Sequence, residues 1–256
     1  MSAFPAGVPT ASGSMAVETV ERFGRPMRHF QVAVSAEAMA LAWANRENGP
    51  HGATVTVTHE VGARGYHGVV WPATADNTLA CSVILRPSVT VEEADVTWLV
   101  AGLIALEGAE AASDARLALW WPDAVVVADS GRDMTASVKA EIQLGPGKVK
   151  NVVATMRFDL AKLGLASEGR DELLESVVGA ADRVSALLDE GAAAVAASYE
   201  SRCGLVGKRV KVRLRPKGET RGTVRRIDRS ARLEIASPTG MMERVGVDQM
   251  MELSVV

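Results

Sequence analysis

Two long runs of opposed character, joined by a tight glycine turn, limit this chain more than any other feature. Ser137 to Leu144 alternates polar and apolar residues, Lys148 to Phe158 follows as a second strand-like run, and Gly145-Pro146-Gly147 stands between them. A period of two places successive side chains on opposite faces of an extended backbone. A short glycine-bearing connection then turns one strand back antiparallel to the other. The middle of the chain is therefore a β-hairpin, and the rest must supply strands and helices to cover it.

Those elements can be read on either side of the hairpin. Residues 29–34 predict a strand that runs into Ser35, a good helix N-cap, and the helix that follows presents Met39, Ala40 and Trp43 on one face before Asn48-Gly49-Pro50. Ala53–Thr58, Val69–Trp71 and Leu79–Leu85 predict three more strands, with a glycine-bearing loop from Gly62 to Gly68. Thr90 and Glu93 have capping-box spacing ahead of a helix expected to bury Val91, Leu99, Leu103 and Leu106 and to end near Gly108. Leu117–Trp121 and Ala124–Ala128 predict a pair of short strands, and Asp171–Ser201 one long amphipathic helix. The fold class is α+β with a mostly antiparallel sheet.

After Gly204 the pattern changes to short alternating strands, such as Lys208 to Leu214, over about fifty residues, the size of a small β-barrel. Charge changes at the same point. Beyond Gly204 there are twelve Lys and Arg against six Asp and Glu, which leaves sixteen against twenty-five in the preceding part. Three segments follow: an N-terminal arm over residues 1–27, a main domain over 28–203 and a barrel over 204–256. The 48% hydrophobic content of the 256 residues suffices for one full core and a small second one. The first fifteen residues lack the basic start and apolar run of a secretory signal, and the most apolar stretch, Val96–Leu106, is too short to span a bilayer. Two isolated cysteines, Cys81 and Cys203, without metal-ligand spacing fit a reduced, cytoplasmic compartment.

Two strings carry a family resemblance. Asn77 to Pro87, ending Ser82-Val83-Ile84-Leu85-Arg86-Pro87, is similar to a characteristic strand of the biotin-protein ligases, and Tyr199 to Val210 resembles the junction between their catalytic domain and their C-terminal SH3-like barrel. The resemblance covers residues 28 to the end. It implies a class II aminoacyl-tRNA-synthetase-like ligase domain, a mixed and mostly antiparallel sheet with packing helices, followed by an SH3-like β-barrel. It also implies ATP with Mg²⁺ and biotin as ligands if the family's chemistry is retained, a biotin carboxyl carrier or other acidic protein as partner, and a homodimer formed through the hairpin of residues 137–158.

The family's adenylating residues can be followed position by position. Its phosphate loop corresponds to residues 63–71, where Arg64, Gly65, Gly68 and Trp71 match while Tyr66, His67 and Val69 stand where cations usually do. Its Lys-Trp-Pro-Asn-Asp corresponds to Trp120-Trp121-Pro122-Asp123-Ala124, without the lysine. Its later lysine, which touches both carboxylate and phosphate, corresponds to Asp133 after Gly131-Arg132. Its glycine strand corresponds to Thr155–Leu160, whose side chains would fill the biotin slot. Its Ser-Thr-Asn corresponds to Ser35-Ala36-Glu37, and its glutamine before the loop to Glu60. One lost preorganised donor typically costs about 10²- to 10³-fold in rate, so two absent lysines and an altered loop predict a protein that no longer adenylates biotin and serves as a ligand- or carrier-binding module.

Two alternatives remain open at this level. An active acyl-protein ligase with a remodelled pocket would rely on Arg64, His67, Asp123, Lys139 and Arg157. Trp120 and Trp121 are candidates for a ligand-binding, stacking wall, but alternation puts one of them in the core, and the structural reading is favoured. A nucleic-acid adaptor would use the stripe Arg209, Lys211, Arg213 and Arg215, which faces outward while Val210, Val212 and Leu214 face in. The barrel has no aromatic residue for base stacking, and no helix-turn-helix segment is expected ahead of the main domain, so pairing of this stripe with the acidic first domain or an acidic carrier is the favoured reading. Asp123, Asp129, Asp133 and Asp159 are loop aspartates for which turn formation is favoured over metal binding.

Overall fold

The computed structural model describes residues 18–69 and 75–256. The strands are β1 (Thr19–Arg22), β2 (Arg25–Ala33), β3 (Thr54–Glu60), β4 (Thr78–Leu85), β5 (Leu117–Trp120), β6 (Ala124–Val127), β7 (Met134–Gly145) and β8 (Lys148–Asp159), then β9 (Arg209–Leu214), β10 (Glu219–Ile227), β11 (Leu233–Ala236), β12 (Met242–Val245) and β13 (Met250–Val255). The helices are α1 (Ala36–Arg46), α2 (Val96–Ala112), α3 (Arg170–Asp189) and α4 (Ala192–Ser201). The first eight strands form one sheet in the order β1-β2-β3-β4-β8-β7-β6-β5, and the last five form a second in the order β12-β11-β10-β9-β13. Only β2 and β3 pair in parallel, across the helical crossover α1.

The β7–β8 hairpin lies within the large sheet, with ten residue pairs from Ala136 opposite Phe158 to Gly145 opposite Lys148 and a register shift between Gln143 and Leu144. Its alternation assigns the two faces. Val138, Ala140, Ala154, Met156 and Phe158 join the main core under α2 and α3, whereas Val153 packs with Ala40, Trp43 and Ala44 of α1 on the other side. The face toward α1 also carries a polar row, in which Ala80, Arg157 and Ser137 are cross-strand neighbours. β6 pairs only with the first residues of β7, so the outer edge of β7 beyond Val138 has no partner strand among the described residues.

The barrel is fastened to the main domain by its entry segment. Leu119 of β5 bridges Cys203, and Gly204 N–H donates to Leu119 O at 2.9 Å. The Trp121 indole N–H donates to Ala231 O at 2.9 Å, and Glu200 at the end of α4 accepts from Ile227 N–H at 2.8 Å. Satisfying these buried polar groups across the boundary fixes where the barrel sits on the sheet.

Four expectations are corrected. The arm expected over residues 1–27 contributes β1 and the start of β2, because Thr19–Arg22 pairs antiparallel with Arg25–Arg28. Thr90 and Glu93 do not cap α2. They form a preceding turn, and the helix begins at Val96. Gly108 lies inside α2 rather than at its end, because α3 packs so close that a Cβ there would come within 2.7 Å of Val177. The long helix breaks at Gly191, whose φ of 117° few other residues tolerate, giving α3 and α4. Of the strand expected at residues 69–71, Val69 only closes a turn and the remainder lies outside the described residues, as does residues 1–17 of the expected arm.

Gly108→Ala tests this packing. Helix propensity alone favours alanine by about 1 kcal/mol, but overpacking against Val177 costs about 1–3 kcal/mol. The variant should therefore show a net loss of stability in urea denaturation, and a gain would mean that α3 is not held this close.

Candidate functional site

The N-terminus of α1 faces β3, β7 and β8, and of the residues singled out in the sequence Ser35, Glu60, Lys139 and Arg157 meet there. Ser35 caps the helix, its Oγ accepting from Ala38 N–H at 3.0 Å. The neighbouring free amide, Ala36 N–H, donates to Glu60 Oε1 at 2.7 Å. Glu60 in turn is held by Arg157, whose Nε donates to Oε2 at 2.6 Å and whose Nη2 donates to Oε1 at 3.2 Å. The side chains are only 1% (Arg157) and 8% (Glu60) exposed, so this is a buried, bidentate ion pair seated on a helix N-terminus.

A second pair stands beside it. Lys139 Nζ donates to Glu37 Oε1 at 2.7 Å, with Glu141 Oε2 at 3.5 Å. Ser82 and Thr155 share a buried hydroxyl contact at 2.7 Å on the strands between. Lys139 and Arg157 are thus engaged by carboxylates of the protein itself. The register of β7 and β8 puts both cations on one face, and the parallel β2–α1–β3 crossover brings Glu37 and Glu60 over it.

The glycine loop points elsewhere. His67 and Gly68 take positive φ values of 54° and 76° in a tight turn, which directs Tyr66 and His67 toward the barrel. The Tyr66 hydroxyl donates to the carbonyl of Val247 and lies 3.0 Å from that of Met250, His67 Nε2 donates to Met250 O, and the Tyr66 ring meets Trp98 edge-on at 5.4 Å. The two residues that replace expected cations therefore tie the loop to the barrel. Gly65 is buried beneath this turn, Arg64 is exposed with Nη1 donating to Gly68 O at 3.3 Å, and Trp71 lies outside the described residues.

The remaining candidates are dispersed. Asp123 accepts both oxygens' worth of contact from Arg132 Nη2, at 2.9 and 3.1 Å, and its carboxyl is raised, first by burial, against the opposing charge of Arg132. Asp133 pairs with Lys162 at 2.5 Å on the surface. Trp121 is fully buried and its indole is spent on Ala231, so it offers no stacking face. Asp129 approaches Arg116, and Asp159 accepts from Lys162 N–H. Among the described residues, no group of three His, Cys, Asp or Glu side chains is arranged to hold a metal ion. Burial pushes the Cys81 thiol up to about 12 and that of Cys203 to about 11, which leaves both unreactive.

On the barrel, Lys211 and Arg221 share Glu219, and Arg213 pairs with Glu252. This corrects the expectation that the stripe pairs with the first domain: its middle is neutralised by neighbouring strands of the barrel.

The described residues thus form an eight-stranded mixed sheet with α1 on one face and the other helices on the opposite one, followed by a five-stranded sheet. The biotin protein ligase of Aquifex aeolicus, solved with biotin and ATP, superposes with a TM-score of 0.70 at 16% identity, over 90% of this chain and 99% of that one. A biotin protein ligase-like protein of unknown function from Silicibacter sp. gives a TM-score of 0.61 at 14% identity, over 86% and 94%. In sequence, the bifunctional ligase/repressor BirA of Bacillus subtilis is 26% identical over 133 residues, which is 52% of this chain and 40% of BirA. The match thus spans two fifths of the curated relative's length. No family model matches. The chain has the biotin-protein-ligase fold and a detectable sequence kinship with those enzymes. No helix of the described residues is long and apolar enough to cross a membrane.

Two outcomes test this geometry. Removing Arg157 alone strands a buried carboxylate, so Arg157→Met should cost about 3–5 kcal/mol in urea denaturation, while Arg157→Met combined with Glu60→Gln should recover most of that loss. Equal losses would show that the pair is not coupled. At the domain junction, burial and then the charge of Asp248 raise the Asp95 carboxyl. A raised carboxyl contributes stability that is complete below its ordinary value and is lost as pH rises through the raised one. Asp95→Asn should therefore be more stable than the parent at pH 7, with the difference vanishing below about pH 4.

Proposed function

We propose that this chain is a biotin-protein-ligase-fold protein that does not form biotinyl-adenylate by the family's route and works as a binding or accessory module in the cytoplasm. The observation that carries this reading is the Glu60 carboxylate, bound to Ala36 N–H and closed by Arg157. The groups that would receive an acid substrate at this helix end, a free amide and a cation, already hold a carboxylate of the protein. Admitting another would separate a buried ion pair at a cost of about 3–5 kcal/mol, equivalent to roughly two to three and a half orders of magnitude in affinity. ATP and biotin therefore do not fit the residues present, and the polyanion-binding loop is committed to the barrel through Tyr66 and His67.

An acidic carrier domain is the partner chemistry that suits the barrel. Lys208, Arg209, Lys217, Arg225 and Arg229 make no ion pair among the described residues, so the excess positive charge of the last domain is presented to solvent. Glu219 and Glu252 break up the stripe, which disfavours a nucleic-acid backbone and suits a protein surface of mixed charge.

Calorimetry with biotin, ATP–Mg²⁺ and a non-hydrolysable biotinyl-adenylate analogue tests the reading. The expected result is analogue binding no tighter than about 10 µM, with biotin-dependent ATP–pyrophosphate exchange at background. Submicromolar analogue binding or measurable exchange would overturn it in favour of an active ligase with a remodelled pocket.

A further inference from the structure

The face of the large sheet turned away from α1 carries a cavity that the ligase-like site does not use. It has a volume of about 340 Å³ and lies between β1–β2–β3 and the first turn of α3. That volume is within the range of small-molecule pockets, roughly 300–1,000 Å³. α3 packs on β4 and reaches β2 through the Arg25–Asp182 pair at 2.6 Å, and the cavity opens beside these contacts, lined by Leu174 of α3 and Leu79 of β4.

Its lining divides into three parts. Met27, Leu79 and Leu174 form a buried apolar floor. His29, Thr56 and Thr58 form one polar wall, where the imidazole is held by a hydroxyl at each nitrogen, Nδ1 with Thr56 Oγ1 at 2.9 Å and Nε2 with Thr58 Oγ1 at 3.3 Å. Such a row is unusual on this face, because its continuation on β4 and β8 is Leu79, Cys81, Met156 and Phe158. At the mouth stands the Arg22–Asp171 pair, 2.6 Å long, with side chains 42% and 67% exposed. An ion pair this exposed contributes at most about 1 kcal/mol and opens readily, so Arg22 can exchange Asp171 for another anion.

We infer that this cavity binds a small organic acid with an apolar body, its hydrocarbon or aromatic part on Met27, Leu79 and Leu174, its hydrogen-bonding edge on His29 and the two threonines, and its anionic group on Arg22. An apolar floor alone would accept any oily molecule. The fixed imidazole and the exchangeable guanidinium at the rim select one that carries a negative charge at one end. The site is separated from the Glu60–Arg157 pair by the thickness of the sheet, and it stands or falls independently of the function proposed above.

The experiment is a fluorescence titration of the full chain with 8-anilinonaphthalene-1-sulfonate, an apolar body bearing one anion, and with its neutral counterpart N-phenyl-1-naphthylamine. The expected result is saturable binding of the sulfonate at one site per chain, at least about tenfold tighter than the neutral probe. His29→Trp, which fills the cavity from an exposed position, should abolish binding of both probes. Arg22→Glu should weaken only the sulfonate. Amide exchange should show protection of residues 19–22 and 54–58 on binding. Absence of saturable binding, equal affinity for the two probes, or sulfonate binding unchanged in His29→Trp would each overturn the assignment.

Discussion

A carboxylate on a helix N-terminus, neutralised by a guanidinium from the strand below, is the contact around which the ligase-like face is organised. Glu60 ends β3, Ala36 begins α1 and Arg157 lies near the end of β8, so one buried pair ties the neighbouring elements α1 and β3 to a strand 97 residues away. Both charges have lost water, and each is tolerated only because the other, together with one backbone amide, replaces it. This fixes the end of β3 against the start of α1. Glu37 and Lys139 repeat the arrangement one strand over, with more exposure and so with less at stake.

The second organising contact is the boundary with the barrel. Trp121 and Glu200 supply side-chain partners to backbone groups of Ala231 and Ile227, while Tyr66 and His67 reach the carbonyls of Val247 and Met250 in the same domain. The barrel therefore bears on the loop as well as on the sheet. A loop that reads in sequence as a degraded phosphate binder is, in three dimensions, a connector whose substituted residues have acquired carbonyl partners.

Much of the scaffold was legible because it depends on local pattern. Alternation located β7 and β8, the Ser35 cap located α1, and the change in pattern after Gly204 located the barrel. The errors fell where a tertiary neighbour overrode a local signal. Gly108 reads as a helix stop and is instead a contact point for α3, and Thr90 with Glu93 reads as a cap and is a turn. At the site, the residue-by-residue reading expected Lys139 and Arg157 as cations available to a ligand, whereas each is paired with a carboxylate of the protein.

By itself the sequence determined the class of fold and the change of pattern after Gly204, because these follow from periodicity and from strings of neighbouring residues. Only the tertiary structure decided what the candidate site residues do. Whether a cation is free or spent depends on what the crossover of a distant helix sets beside it, and charge pairing at 2.6 Å between residues 97 positions apart has no trace in local pattern.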